Sequence, residues 1–132
     1  MQLTPKDYIP TRTEPAPGAM FRPDRSAVSA FRVPKDLFPE VSPARMPPPD
    51  QLARSAGQMV AVEEALRSMG ANFSRGGWRW MGRRLAIPQG GGAFQYAGPG
   101  DWIICRRGHA HLMFSVVADS VFHHSYAEKG QP

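Results

Sequence analysis

The segment DQLARSAGQMVAVEEALRSMG, residues 50–70, is rich in good helix-forming residues and contains no proline. It predicts a helix over residues 51–69. Asp50 is placed to cap the free amides of the first turn, and Gly70 suits the left-handed position after the last turn. Spacings of three and four residues put the following apolar side chains in one stripe: Leu52, Met59, Val62, Leu66 and Met69. We therefore expect this helix to pack on a sheet.

Short strand-like segments follow the helix and are separated by glycine-rich turns at residues 90–92 and 98–100. The last segment, Asp119–Tyr126, predicts a helical turn followed by a short strand. The part rich in strands is expected over about residues 77–128. The four predicted strands are Trp78–Ile87, Ala93–Ala97, Asp101–Arg106 and His111–Val117.

The chain before the helix is dominated by proline, since eleven of the 14 prolines lie in residues 1–49. Each proline removes a backbone donor, so regular helix is excluded there. Ser26–Val33 is free of proline, alternates in character and predicts the first strand. Residues 1–19 contain few large apolar groups and predict an extended or disordered arm, with one domain over residues 20–132. The expected fold is α+β: a small curved antiparallel sheet of about five strands packed on one main helix.

Length and composition limit the classes of protein to which this chain can belong. The 132 residues, 42% of them hydrophobic, fit one domain and exclude two large ones. No apolar run approaches the roughly 18 residues of a membrane span, and no signal core is visible, so we expect a cytoplasmic protein without a membrane partner. The single cysteine, Cys105, excludes an internal disulfide and a multi-cysteine zinc site.

Four segments resemble, in their order and spacing, short phage and prophage proteins of unknown function. Gly100-Asp101-Trp102-Ile103-Ile104 matches a GDWII hairpin of that family directly. The other three segments are residues 20–31, similar to a basic opening strand, residues 85–90, similar to a strand ending in IPT-EG, and residues 120–128, similar to a closing PDIFE-TYE segment. The resemblance spans about residues 20–128. It implies a phage or prophage protein in a bacterial host cell, with association with the virion as the alternative.

The strongest surface signal is SRGGWRWMGRR, residues 74–84, because no Asp or Glu occurs between Glu64 and Asp101. Arginine forks bind carboxylates or phosphates, and indole rings stack on bases. Arg106 and Arg107 on a neighbouring hairpin could extend the patch. The alternative is that the tryptophans face the helix while the arginines are solvated. The predicted site for a partner protein or nucleic acid comprises Arg75, Trp78, Arg79, Trp80, Arg83, Arg84, Arg106 and Arg107.

Signals for catalysis are weaker. His109 and His111 share a strand face if extended, and His123 and His124 are adjacent, so a metal site would need further ligands from the fold. Cys105 lies in a predicted strand without the local signature of a cysteine hydrolase. We expect no cofactor, no bound metal and no catalytic residue, and therefore no enzyme.

Three hypotheses follow. The preferred one is a non-enzymatic phage or prophage protein that binds a protein partner, either a host defence or regulatory component or a virion component. The second is nucleic-acid binding through the arginine and tryptophan patch, which the net charge of +5 favours only modestly. The third is a metal-dependent enzyme that uses the histidine pairs.

Overall fold

Two helices and eight strands make up the computed structural model, which describes residues 2–11, 27–37, 48–74, 76–107 and 112–128. Five strands form one antiparallel sheet in the order β7-β6-β2-β1-β8, and three form a second sheet in the order β3-β4-β5. The predicted α+β class is confirmed, with a second, smaller sheet in addition. The elements in chain order are β1 Lys6–Pro10, β2 Val28–Arg32, α1 Pro49–Ser68, β3 Arg79–Met81, β4 Arg84–Gly90, β5 Ala93–Ala97, β6 Trp102–Arg107, β7 Leu112–Val117, α2 Asp119–Ser125 and β8 Tyr126–Glu128.

Helix α1 confirms the main predicted helix, with boundaries that differ by one or two residues. The predicted cap by Asp50 is wrong, because Pro48 precedes the helix and no side chain caps it. Pro49 starts the helix, since proline has no N–H to satisfy and its fixed φ suits the first helical position. Asp50 therefore lies inside the first turn. Gly70 has a φ of 104°, the left-handed conformation predicted for it.

The apolar stripe of α1 packs on both sheets through its C-terminal half. Val62 and Leu66 are fully buried, whereas Leu52 is 48% exposed and does not extend the stripe. Gln58 is buried in the first half of the helix and donates from Nε2 to Asp36 Oδ1 at 2.8 Å. The resulting main core consists of Phe31, Val33, Leu37, Val62, Ala65, Leu66, Leu85, Ile87, Ala97 and Ile103.

The N-terminal segment enters the larger sheet. Strand β1 lies between β2 and β8, so the arm predicted over residues 1–19 is, in residues 6–10, a strand of the domain. Tyr8 explains the difference, because its ring packs edge-on to Trp102 at 5.6 Å and to Phe122 at 4.9 Å between ring centroids. One large aromatic side chain anchors a segment that is otherwise poor in apolar groups. Residues 12–19 lie outside the described residues, and the strand predicted first is β2.

Helix α2 covers the opposite face of the five-stranded sheet. Phe122 stacks on Trp102 at 3.8 Å and on Tyr126 at 5.1 Å between ring centroids. Together with buried Val28, Ala30 and Ile104, these rings form a second core. The predicted helical turn followed by a strand is confirmed as α2 and β8.

The region after α1 contains one more hairpin than the sequence predicts. The single strand expected over Trp78–Ile87 is split into β3 and β4, because Gly82, with a φ of 61°, forms a turn between them. The turns predicted at residues 90–92 and 98–100 are confirmed. Across the described ranges, neither helix combines the length and apolar character needed to cross a bilayer.

Candidate functional site: the outer face of the three-stranded sheet

The three-stranded sheet has one face in the main core and one face turned away from it. Leu85 pairs with Trp80 on one side and Ala97 on the other, and all three pack in the main core. Because successive side chains of a strand point to opposite faces, Ala86 and the residues paired with it, Arg79 and Tyr96, point to the other side of this sheet. We call this second surface the outer face; its largest side chains are Arg79, Met81, Arg84, Phe94 and Tyr96.

The two tryptophans of the predicted patch do not lie on the outer face. Trp78 packs between Phe73, at 5.1 Å, and Phe114, at 5.2 Å between ring centroids. Trp80 packs against the main core and donates from Nε1 to Glu63 Oε1 at 3.1 Å. Both indoles therefore join the three-stranded sheet to its neighbours, which is the alternative interpretation of this motif.

The arginines of the same motif lie on the solvent side. Arg79 and Arg84 are exposed on the outer face, and Arg83 is exposed in the turn between β3 and β4. The guanidinium carbon of Arg79 lies 5.8 Å from the centroid of the Phe94 ring, within the range of a cation–π contact. This contact holds the Arg79 side chain against the sheet. Arg75 lies outside the described residues.

Aromatic side chains reach the outer face from β5, a strand that the sequence analysis did not include in the site. Tyr96 is 44% exposed and Met81, on the far strand of the sheet, is 47% exposed. Gln95, between Phe94 and Tyr96, points to the other side and accepts from the Val116 amide at 2.7 Å. The alternation of Phe94, Gln95 and Tyr96 along the sequence indicates that the two aromatic rings share one face of β5. Only the pairing of β5 with β4 shows that this face lies beside the arginines.

Arg106 and Arg107 belong to a different region from Arg84. Arg84 begins β4, whereas Arg106 lines a cleft with Pro88, Gln89 and Gly90 at the other end of β4. A strand rises about 3.3 Å per residue, so the two ends of β4 are roughly 20 Å apart. Arg106 also donates from Nη2 to the Tyr126 hydroxyl at 2.7 Å. The seven predicted residues that the structure describes thus fall into three groups: an inner pair of tryptophans, three arginines on or next to the outer face, and two arginines at the end of β6.

A charged cluster surrounds Asp119 at the start of α2. Its carboxylate accepts from the Trp102 indole at 2.9 Å and pairs with Arg32 at 3.0 Å. These contacts, the indole hydrogen bond first, lower the pKa of Asp119 below its ordinary value of 3.8. His123 Nε2 lies 3.1 Å from the same carboxylate. The cluster fastens α2 to the larger sheet.

The structure brings no metal ligands together in the part of the chain that it describes. No group of three or more His, Cys, Asp or Glu side chains is arranged for a metal ion within those ranges. His109 and His111 lie outside the described residues, whereas His123 shares Asp119 with Arg32.

Cys105 is buried in β6, with its Sγ 3.8 Å from the carbonyl oxygen of Met69. Burial raises the pKa of this thiol, and the charge of Arg107 only partly opposes the effect. Since the thiolate is the reactive form, the environment favours an unreactive side chain.

Comparison of the chain with models of known protein families, with curated proteins and with solved structures gives no match. The candidate site therefore rests on its own geometry.

Proposed function

We propose that this chain acts by binding an acidic protein partner through the outer face of its three-stranded sheet. The observation that supports the proposal is the exposure of Arg79, Arg84, Met81 and Tyr96 together on one side of that sheet. Arginine, tyrosine, phenylalanine and methionine are enriched at protein interfaces, and arginine and tyrosine dominate their binding energy. The arginines pair with carboxylates of the partner, while the apolar groups between them are removed from water.

A protein partner fits this surface better than single-stranded nucleic acid does. Proteins that bind single strands stack successive bases on several free aromatic faces. Here Trp78 and Trp80 pack inward, and the Phe94 ring is in contact with Arg79. Of these four aromatic residues only Tyr96 is exposed, at 44%, and the other three are half-buried. The experiment below therefore has to distinguish a protein partner from nucleic acid.

The kind of partner follows from the resemblance to short phage proteins. It supports a non-enzymatic accessory role in a bacterial cell, with a host defence or regulatory component, or a virion component, as the protein bound. In either case the chain presents a shape and a positive charge, and it carries out no reaction of its own.

Affinity capture tests the proposal. Immobilised chain is incubated with nuclease-treated lysates of uninfected and phage-infected bacteria, beside the double variant Arg79→Ala, Arg84→Ala. We expect the wild type to retain a defined protein and the variant to lose at least nine-tenths of it, since truncation of an arginine that anchors an interface costs about 2 kcal/mol or more. A parallel capture from untreated lysate serves as the comparison: a protein retained from untreated lysate and lost from treated lysate would show that nucleic acid mediates the binding and contradict the proposal.

A matched control removes the same charge elsewhere. Arg54 and Arg67 are exposed on α1, where Arg54 pairs with Asp36 and Arg67 lies 4.9 Å from the centroid of the Phe73 ring. The variant Arg54→Ala, Arg67→Ala should retain the partner. Equal loss in both double variants, or no captured protein with the wild type, rejects the outer face as the binding surface.

A further inference from the structure

A cleft of about 410 Å³ lies where the end of β4 meets the first half of β7. The side chain of Gln89 joins its two walls, because Nε2 donates to the Phe114 carbonyl at 2.8 Å. The folded chain therefore forms the cleft by itself, with a size in the range of small-molecule sites, about 300–1,000 Å³. The lining consists of Pro88, Gln89, Gly90, Arg106, Leu112, Met113, Phe114 and Ser115.

Arg106 gives this cleft a positive charge. Its Nη2 donates to the Tyr126 hydroxyl at 2.7 Å, which holds the side chain on the face of the larger sheet that carries α2. A guanidinium has five N–H donors, so this contact leaves others for a ligand. Within the described ranges, no carboxylate lines the cleft and none forms an ion pair with Arg106. The charge therefore favours an anionic ligand.

Apolar side chains lie next to this charge. Met113 pairs with Arg106 across β6 and β7, so the two side chains share one face of the sheet. The Met113 side chain is 53% exposed, and Pro88 adds an apolar group from the wall that β4 forms. A ligand lying along Met113 would remove apolar surface from water, and the flexible thioether adapts to its shape. The cleft thus fits a molecule that combines an apolar body with one charged group.

We propose that this cleft binds a small carboxylate with an apolar body, such as a medium-chain fatty acid. The carboxylate accepts two parallel N–H bonds from Arg106, and the hydrocarbon lies between Met113 and Pro88. A single arginine balances the one charge of a carboxylate, whereas a phosphate monoester carries nearly two at neutral pH. The ligand occupies the cleft as it is, so Gln89 keeps its hydrogen bond. Because the cleft and Arg84 are at opposite ends of β4, this inference goes beyond the proposed function.

Titration with octanoate, followed in ¹⁵N–¹H correlation spectra, tests the site. We expect the amide signals of residues 89–90, 106 and 112–115 to shift. Octanol has the same hydrocarbon without the charge and should bind at least tenfold more weakly, because hydrogen bonds between charged groups are the stronger ones. Octyl phosphate should also bind more weakly than octanoate. No shift with octanoate, equal binding of octanol, or tighter binding of octyl phosphate overturns the proposal.

Two neighbouring arginines of β6 provide matched variants, and spectra of the free variants confirm their fold. Arg106→Gln should bind octanoate at least tenfold more weakly and octanol unchanged. Arg107→Gln removes the same charge from the opposite face of the strand, where Arg107 acts on the buried thiol of Cys105, and should bind octanoate nearly as the wild type does. Equal losses in the two variants would show that net charge alone attracts octanoate and would overturn the site.

The outer-face variant keeps this test independent of the proposed function. Arg79→Ala, Arg84→Ala should bind octanoate as the wild type does, whether or not it captures a protein partner. Loss of octanoate binding in this folded variant, with Arg106→Gln unaffected, would place the ligand on the outer face and contradict the cleft.

Discussion

The five-stranded sheet is covered on both faces, whereas the three-stranded sheet is covered on one. In β6, four consecutive residues from Trp102 to Cys105 are buried, with Ile103 in the main core and Ile104 in the second core. In the smaller sheet, Leu85 and Ile87 face the main core. Ala86, between them, is also buried although it lies on the outer face, and the side chains exposed around it there are those of Arg79, Met81, Arg84 and Tyr96. The larger sheet thus contributes side chains to both cores. The smaller sheet contributes to the main core from one face only, and the exposed side chains of its outer face are not part of either core.

This difference separates stability from function. A change in either core should lower the free energy of unfolding, while a change on the outer face should affect binding and leave the fold intact. The predictions below test that separation, first where the expected effect is largest.

The largest effect is expected for Phe122→Ala. Phe122 is 2% exposed and stacks between Trp102 and Tyr126, so its removal should lower the free energy of unfolding by about 3–5 kcal/mol. Urea denaturation monitored by circular dichroism measures this. Tyr96→Ala, the outer-face counterpart, should cost less than about 1 kcal/mol, as is usual for exposed side chains. Equal losses in the two variants would remove the distinction between the sheets.

A smaller effect is expected for Trp80→Phe. The variant keeps an aromatic ring against the main core but loses the hydrogen bond to Glu63, which is worth about 1 kcal/mol. Capture of the partner should remain at the wild-type level, because the Trp80 side chain points away from the outer face. Loss of the partner from a stably folded Trp80→Phe chain would show that the indole contributes to binding.

Acid should weaken the attachment of α2 through Asp119. The folded pKa lies below 3.8, so the stabilisation is complete above the unfolded value and is lost as pH falls through the folded pKa. The free energy of unfolding should therefore fall more steeply with acid in the wild type than in Asp119→Asn. Denaturation at neutral pH and at several values below the ordinary aspartate range measures the slopes. If the free energy of unfolding falls equally steeply with acid in both chains, Asp119 does not stabilise the folded state through its charge.

The smallest change concerns Cys105. Burial raises its pKa, so the thiol should react slowly with a maleimide in the folded chain at neutral pH and rapidly in denaturant. Because the folded pKa is raised, the free energy of unfolding should decline as the pH rises from the unfolded pKa of the thiol through its folded pKa. Rapid labelling of the native chain would show that β6 is less well covered than the structure indicates.

Local chemistry was sufficient to predict much of the fold. The sequence predicted α1 from its helix-forming composition, and it located the glycine turns on either side of β5. It did not place β1 in the sheet, because Tyr8 is stabilised by aromatic rings from more than ninety residues further along the chain. Long-range packing of this kind leaves no trace in the composition of the segment itself.

The candidate site was predicted in part, for a related reason. A run of tryptophans and arginines identified the right hairpin, but periodicity alone did not show which side of it faces the core. The hydrogen bond of Trp80 to Glu63 and the pairing of Ala86 with Tyr96 decide that question, and each depends on how one element packs or pairs with another rather than on the pattern within the segment. The aromatic groups of the outer face are therefore Phe94 and Tyr96.

Photo-crosslinking tests most directly whether the outer face is the binding surface. A photoreactive phenylalanine analogue replaces Tyr96 in one chain and Val60, which is similarly exposed on α1, in another. Each chain is irradiated in nuclease-treated lysate and analysed by mass spectrometry. We expect one defined protein adduct from position 96 and none from position 60. No adduct from position 96, or the same adduct from both positions, would contradict it.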